Sequence, residues 1–304
     1  MRWHFSCLFT LVTAFVVVPA TAQNECPPQP IVTLPLMVVD GGRVAVATTI
    51  AEHPIRLEVD TGASDSLLTE QAADFLRLER AQIADRKFHV LSGASVREYV
   101  IASDIVIGSL KIERMKFALL PNNAAGKDID GLLGVDVLSH FDIEFDFAQH
   151  KMALYKQNAC GVDAINWLHK ADVAVIPFKI ELTHIVFPAV LDGKQIVARL
   201  DTGSWHNNLS LEAAESLYGL SETSPDMQKI GNPNSPRVGY LHTFGELSFG
   251  GKNFKNVSVR LMQDNSTKLP GGPRFQLGMP VLRTLHLYIA YGERKLYFSP
   301  TGTP

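Results

Sequence analysis

The chain has 304 residues, with 28 basic against 31 acidic side chains for a net charge of −3, 46% hydrophobic and 19% charged residues. That length suits one large domain or two ordinary ones, and the composition excludes wholesale disorder, collagen and coiled coil. No Lys/Arg run offers a footprint for nucleic acid, and three cysteines are too few for a disulfide-dense scaffold.

Residues 1–22 carry the features of a secretory signal. Arg2 gives a positive start, Phe5 to Val18 is an apolar stretch of 14 residues, and Ala20-Thr21-Ala22 follows Pro19 as a small-x-small cleavage site. The stretch falls short of the roughly 20 residues of a membrane span, and no later segment approaches that length. The expected mature chain is exported, periplasmic or extracellular, without a membrane span; an uncleaved anchor is the competing reading. Export leaves Cys26 and Cys160 as a pair in an oxidising compartment. Bonded, they would close a loop of 134 residues, worth about 4–5 kcal/mol in the chain-entropy account. Unbonded, they would be two free thiols.

The next elements are mostly strands. Val44–Ile50, Ile55–Val59, Val100–Ile107 and Met115–Leu120 are rich in Val and Ile and bounded by turn residues. Asp60-Thr61-Gly62 closes the second of them. Thr69, with Glu70 behind it, is an N-cap signal for a short helix, and a second helix is expected after Gly134. Phe88 to Tyr99, with Ser92, Gly93 and Ala94 near its tip, has the pattern of a hairpin. Asp142–Phe147 and Met152–Tyr155 form a hairpin pattern. Residues 156–171 suit a linker.

The chain then repeats itself. Ile55 to Ala63 falls on Ile196 to Ser204 without gaps at an offset of 141, placing Asp201-Thr202-Gly203 on the first tripeptide. Ile107-Gly108 meets Phe249-Gly250 at an offset of 142, and Leu133 to Leu138 meets Leu277 to Leu282 at 144. Ser210 takes the place of Thr69. A unit of about 140 residues is too long for a solenoid and implies two homologous halves, divided as 23–158 and 159–304.

One Asp-Thr-Gly is an ordinary turn after a strand. Two at matching points of a duplication are far more specific. A pseudo-two-fold fold would bring Asp60 and Asp201 face to face, where like charges cannot both ionise and the pair shares a proton. Such a pair can perform general acid–base chemistry on a water. Thr61 and Thr202 supply hydroxyls to tie the loops together, and Gly62 and Gly203 let backbone approach the carboxylates. The ten His residues show no ligand spacing, so no metal is expected. No Gly-x-Ser-x-Gly elbow suggests a serine mechanism.

On these residues, and on Asp130-Gly131-Leu132-Leu133-Gly134-Val135-Asp136 and Phe141 to Phe147, both halves resemble the retropepsin-like aspartic proteases. The resemblance is looser at Gln276-Leu277-Gly278. It implies a mainly β fold of two homologous acid-protease β-barrel lobes with short helices and a central cleft for an extended polypeptide substrate. With both lobes in one chain, a monomer and an aspartic endopeptidase are expected, and the resemblance implies no cofactor. It also implies that the hairpin at Phe88 to Tyr99, with Ser92, Gly93 and Ala94, closes over substrate as a flap; an ordinary exposed hairpin is the alternative. A catalytically silent peptide-binding protein of the same fold is the alternative. The residue after the tripeptide is Ala63 in one half and Ser204 in the other. The resemblance implies that the Ser204 hydroxyl hydrogen-bonds Asp201 and favours its ionised form, leaving the proton on Asp60.

Overall fold

Strand-forming runs that are buried on one face must close or be covered, and here they close. The computed structural model describes residues 28–82, 88–89, 95–122, 128–157, 163, 165, 172–231, 239–262 and 274–301. The leader at 1–22, Cys26, Cys160 and the hairpin-tip residues Ser92, Gly93 and Ala94 lie outside them. The first half contains β1 (Pro30–Pro35), β2 (Met37–Val39), β3 (Arg43–Ile50), β4 (His53–Val59), β5 (Leu67–Thr69), α1 (Glu70–Phe75), β6 (Arg80–Gln82), β7 (Phe88–His89), β8 (Ser95–Val96), β9 (Glu98–Ile107), β10 (Leu110–Leu120), β11 (Gly131–Leu133), α2 (Val135–Leu138), β12 (Phe141–Asp146) and β13 (Lys151–Lys156). The second half contains β14 (Ala174–Pro177), β15 (Lys179–Glu181), β16 (His184–Leu191), β17 (Lys194–Leu200), β18 (Asn207–Ser210), α3 (Leu211–Tyr218), β19 (Gln228–Ile230), β20 (Gly239–Phe249), β21 (Lys252–Met262), β22 (Arg274–Leu277), α4 (Met279–Leu282), β23 (Leu285–Ala290) and β24 (Lys295–Pro300).

Each half forms one closed six-stranded barrel. The first runs β3-β4-β11-β5-β10-β9 and closes where Thr49 and Ile50 pair with Val106 and Ile105. The second runs β16-β17-β22-β18-β21-β20 and closes where Val190 and Leu191 pair with Ser248 and Leu247. Inward side chains fill both barrels: Leu57, Leu68, Ile105 and Phe117 in the first, Ala198, Leu247, Val259 and Phe275 in the second, all buried. The two N-caps hold, with Thr69 Oγ1 accepting from the Ala72 N–H at 3.0 Å and Ser210 Oγ from the Ala213 N–H at 3.1 Å.

A third sheet, of six strands, joins the halves in the order β1-β13-β12-β23-β24-β14. Three strands come from each half, in mirrored order. At its middle Ile143 pairs with Ile289 and Phe145 with Leu287. One face, including Phe145, Met152, Leu287 and Phe298, continues the barrel core. The other packs Tyr155, Tyr288 and Tyr297 with Ile165. Among the described residues no helix is long and apolar enough to cross a membrane.

Candidate active site

In each barrel a strand runs inward and stops at an aspartate. β4 pairs in parallel with β11, and β17 with β22. The pairing extends one residue into each loop: Leu133 O accepts from the Asp60 N–H and Leu277 O from the Asp201 N–H, both at 3.0 Å. Each carboxylate then folds back on its own turn, Asp60 Oδ1 accepting from the Gly62 N–H at 2.8 Å and Asp201 Oδ1 from the Gly203 N–H at 3.0 Å.

The two turns meet across the lobe boundary. Thr61 Oγ1 accepts from the Thr202 N–H at 3.0 Å, and Thr202 Oγ1 accepts from the Thr61 N–H at 3.0 Å. The Thr202 hydroxyl donates onward to Val59 O at 2.6 Å. Both threonines are fully buried, so these bonds satisfy amides that water does not reach. The glycines cross over in the same way. A β-carbon on Gly62 would lie 2.3 Å from the Asp201 carboxylate, and one on Gly203 would lie 2.3 Å from Cγ of Asp60. Six of the residues singled out in the sequence, Asp60, Thr61, Gly62, Asp201, Thr202 and Gly203, therefore form one cluster.

The carboxylates sit in a poorly hydrated place. Loss of water, then the charge of Asp201, then that of Glu58, push the Asp60 carboxyl well above the usual range, while the Gly62 N–H pulls the other way. Glu58 is itself fully buried. Burial pushes it up to about 7, against the pull of Arg43, whose Nη1 is 2.5 Å from Glu58 Oε2. Arg43 also lies 4.5 Å from the ring centre of Trp205, a half-exposed side chain four residues beyond Asp201. This cation–π contact crosses between lobes beside the aspartates.

Asp201 has different neighbours. Gln276 Nε2 donates to its Oδ2, and Arg199 Nη2 stands 3.5 Å from the same oxygen. The expected bond from Ser204 is not made. Its hydroxyl donates to His206 O at 2.7 Å and accepts from Asn208 Nδ2 at 3.0 Å. The Ser-Trp-His turn curls the His206 carbonyl under that hydroxyl, and a local carbonyl wins the donor.

The base of the hairpin at 88–99 is a two-strand pairing, Phe88 with Val96 and His89 with Ser95. Val96 packs in a buried cluster with Leu67, Ala118 and Leu120, against Ala63 and Leu132. The hairpin is thus rooted beside the Asp60 loop. Among the described residues no group of three or more His, Cys, Asp or Glu is placed to hold a metal ion.

Glu58, Arg43, Arg199 and Gln276 escaped the sequence reading. A signal for three of them existed in the repeat itself. At equal positions two residues before the aspartates stand Glu58 and Arg199, and in the repeated Leu/Gln-Leu-Gly stretch stand Leu132 and Gln276.

Residues 46–137, from β3 to α2, match the family model described as aspartyl protease. No curated protein matches the chain by sequence. Among solved structures the chain is similar to conglutin gamma, described as a unique basic 7S globulin from lupine seeds. The two share 12% identity at a TM-score of 0.55, over 90% of this chain and 95% of that one. At that identity the likeness concerns the two-lobed fold alone.

Proposed function

We propose that the protein is an aspartic endopeptidase that hydrolyses peptide bonds of an extended polypeptide, working as an exported monomer. The observation that carries this reading is the reciprocal placement of the two Asp-Thr-Gly turns, each glycine against the other lobe's carboxylate. The aspartyl protease match over the first barrel supports it, and the apolar stretch at Phe5–Val18 supports export.

The chemistry needs one proton between two carboxyls. The ionised one takes a proton from a water, whose oxygen bonds to the carbonyl carbon of the substrate. The protonated one hydrogen-bonds the carbonyl oxygen as negative charge builds there. A proton then passes to the amide nitrogen as its bond to carbon breaks, giving a carboxylic acid and an amine. The buried setting of Asp60, which favours its protonated form, suits this one-proton state.

A second reading has one observation in its favour. Arg199 and Gln276 both engage Asp201 Oδ2, an oxygen the attacking water would otherwise approach, as expected of a peptide-binding protein without catalysis. Cleavage of a peptide library across pH, comparing the natural chain with Asp60→Asn and Asp201→Asn, separates the two. Cleavage abolished by both substitutions supports the protease; binding without cleavage supports the second reading.

A further inference from the structure

The two halves differ most where it matters to the aspartates. We infer that Arg199 and Gln276 are positioning residues that fix the shared proton on Asp60 and the negative charge on Asp201; this rests on the dyad reading above.

The geometry is one-sided at equivalent positions. Two residues before each aspartate, on the same face of its strand, the first lobe carries a carboxylate and the second a guanidinium. Glu58 is turned to Arg43, to which it pairs at 2.5 Å. Arg199 is turned to Asp201 at 3.5 Å. Arg43 and Arg199 thus serve different carboxylates, although β3 pairs with β4 as β16 does with β17. In the second lobe the place of Arg43, two residues before the partner of the residue at issue, is taken by His184, which offers no carboxylate to draw Arg199 away.

The parallel strand behind each aspartate repeats the pattern. Leu132 of β11 packs among apolar side chains, whereas Gln276 of β22 donates its amide to Asp201 Oδ2 and accepts from Asn208 Nδ2 at 3.0 Å. That second bond fixes which end of the amide faces Asp201: its oxygen is taken, so its NH2 is presented to the carboxylate. Gln276 is a donor there, and a donor favours the charged form of its acceptor. Asp201 thereby receives a cation and an amide donor beyond its own turn. Asp60 receives its Gly62 N–H, and the side chain two residues before it is a carboxyl turned to Arg43 instead of a cation turned to the aspartate. The charged or titrating groups that face the pair are Glu58 on β4, Arg43 on β3 and Arg199 on β17. Arg43 is committed to Glu58 and the Trp205 ring. The acid that hydrogen-bonds the substrate carbonyl is then Asp60, and the base that takes the water proton is Asp201.

The test reads the proton directly. The full chain is labelled with carbon-13 at aspartate Cγ, and the two signals are assigned through Asp60→Asn and Asp201→Asn. At mildly acidic pH the Asp60 carbon should show the shift of a carboxylic acid and the Asp201 carbon that of a carboxylate. Arg199→Met combined with Gln276→Leu should move the two signals toward each other, and Arg199→Lys should restore most of the separation. A protonated Asp201 in the natural chain, or signals unmoved in the double variant, overturns the inference. Cleavage assays separate its failure from that of the dyad reading. Asymmetric signals without any cleavage leave the proton placement standing and refute the protease; cleavage with Asp201 protonated does the reverse. In an active enzyme the double variant should also raise the acidic limb of the kcat/KM profile by about one pH unit, a tenfold loss below it.

Discussion

Gly203 lies against the carboxylate of Asp60, so closely that a β-carbon on the glycine would stand 2.3 Å from Cγ of the aspartate. The mate of this contact joins Gly62 to Asp201. Each lobe thus presents bare backbone to the acid of the other. Gly203→Ala must push the lobes apart or twist the Asp60 side chain, because the obstruction is a carboxylate held by the Gly62 N–H. Overpacking of this kind costs about 1–3 kcal/mol. Urea unfolding should show that loss, and cleavage should fall further than stability does.

The exchanged threonine bonds predict a second outcome. Thr202→Val keeps the shape but removes the acceptor of the Thr61 N–H and the donor to Val59 O. Burial leaves both groups without water, at about 1–3 kcal/mol for each unmet group. Thr202→Ser keeps the hydroxyl and should retain most of the stability. Denaturant midpoints for the two variants check the contrast, and equal losses would contradict it.

Stability should fall as pH rises through the acidic range. Glu58, ordinarily near 4.5, is pushed up to about 7, so the folded chain keeps a proton that the unfolded chain has released. Folding therefore takes up a proton across that window and is favoured at its acidic end. Asp60 is shifted in the same direction and adds to the slope. Glu58→Gln has no such proton to bind. Between about pH 5 and pH 7 its stability should drop less than that of the natural chain, by up to about 2 kcal/mol. A steeper slope in the variant, measured by urea midpoints at several pH values, would sink this account.

Trp205 predicts a link between the cleft and lobe contact. Its ring lies under the Arg43 guanidinium at 4.5 Å, and partly exposed contacts of this type are worth about 0.5–2 kcal/mol. Trp205→Ala should lose that much stability and raise KM, while Trp205→Phe should recover part of both. Measuring stability and peptide cleavage on the pair checks it.

The aspartate turns, both N-caps and the long strands were legible because each has a local signature: β-branched runs, Ser or Thr before a helix, glycine where backbone comes close. The six-stranded joining sheet was not, since its central pairing of Ile143 with Ile289 depends on register between distant segments. Strands as short as Leu67–Thr69 and Gly131–Leu133 carry too few residues for a period. At the site the sequence located both acids but misjudged what surrounds them. Ser204 finds a nearer acceptor in His206 O. Arg199 and Gln276 reach Asp201 by side-chain orientations that spacing alone does not fix, although the repeat displayed the mismatch of Glu58 with Arg199 and of Leu132 with Gln276.

The mirrored order of the joining sheet has a consequence for how such a site could come to be lopsided. Ile143 pairs with Ile289, and Phe145 with Leu287, so each central strand meets its own counterpart in a register that two identical strands could share. An unlinked pair of identical halves would be bound by the rule of an isologous dimer: whatever residue stood beside one aspartate would stand beside the other. Glu58 and Arg199 could not then differ, nor could Leu132 and Gln276. Tying the halves into one chain releases each copy to change alone, so that a site with two like acids can acquire a fixed direction.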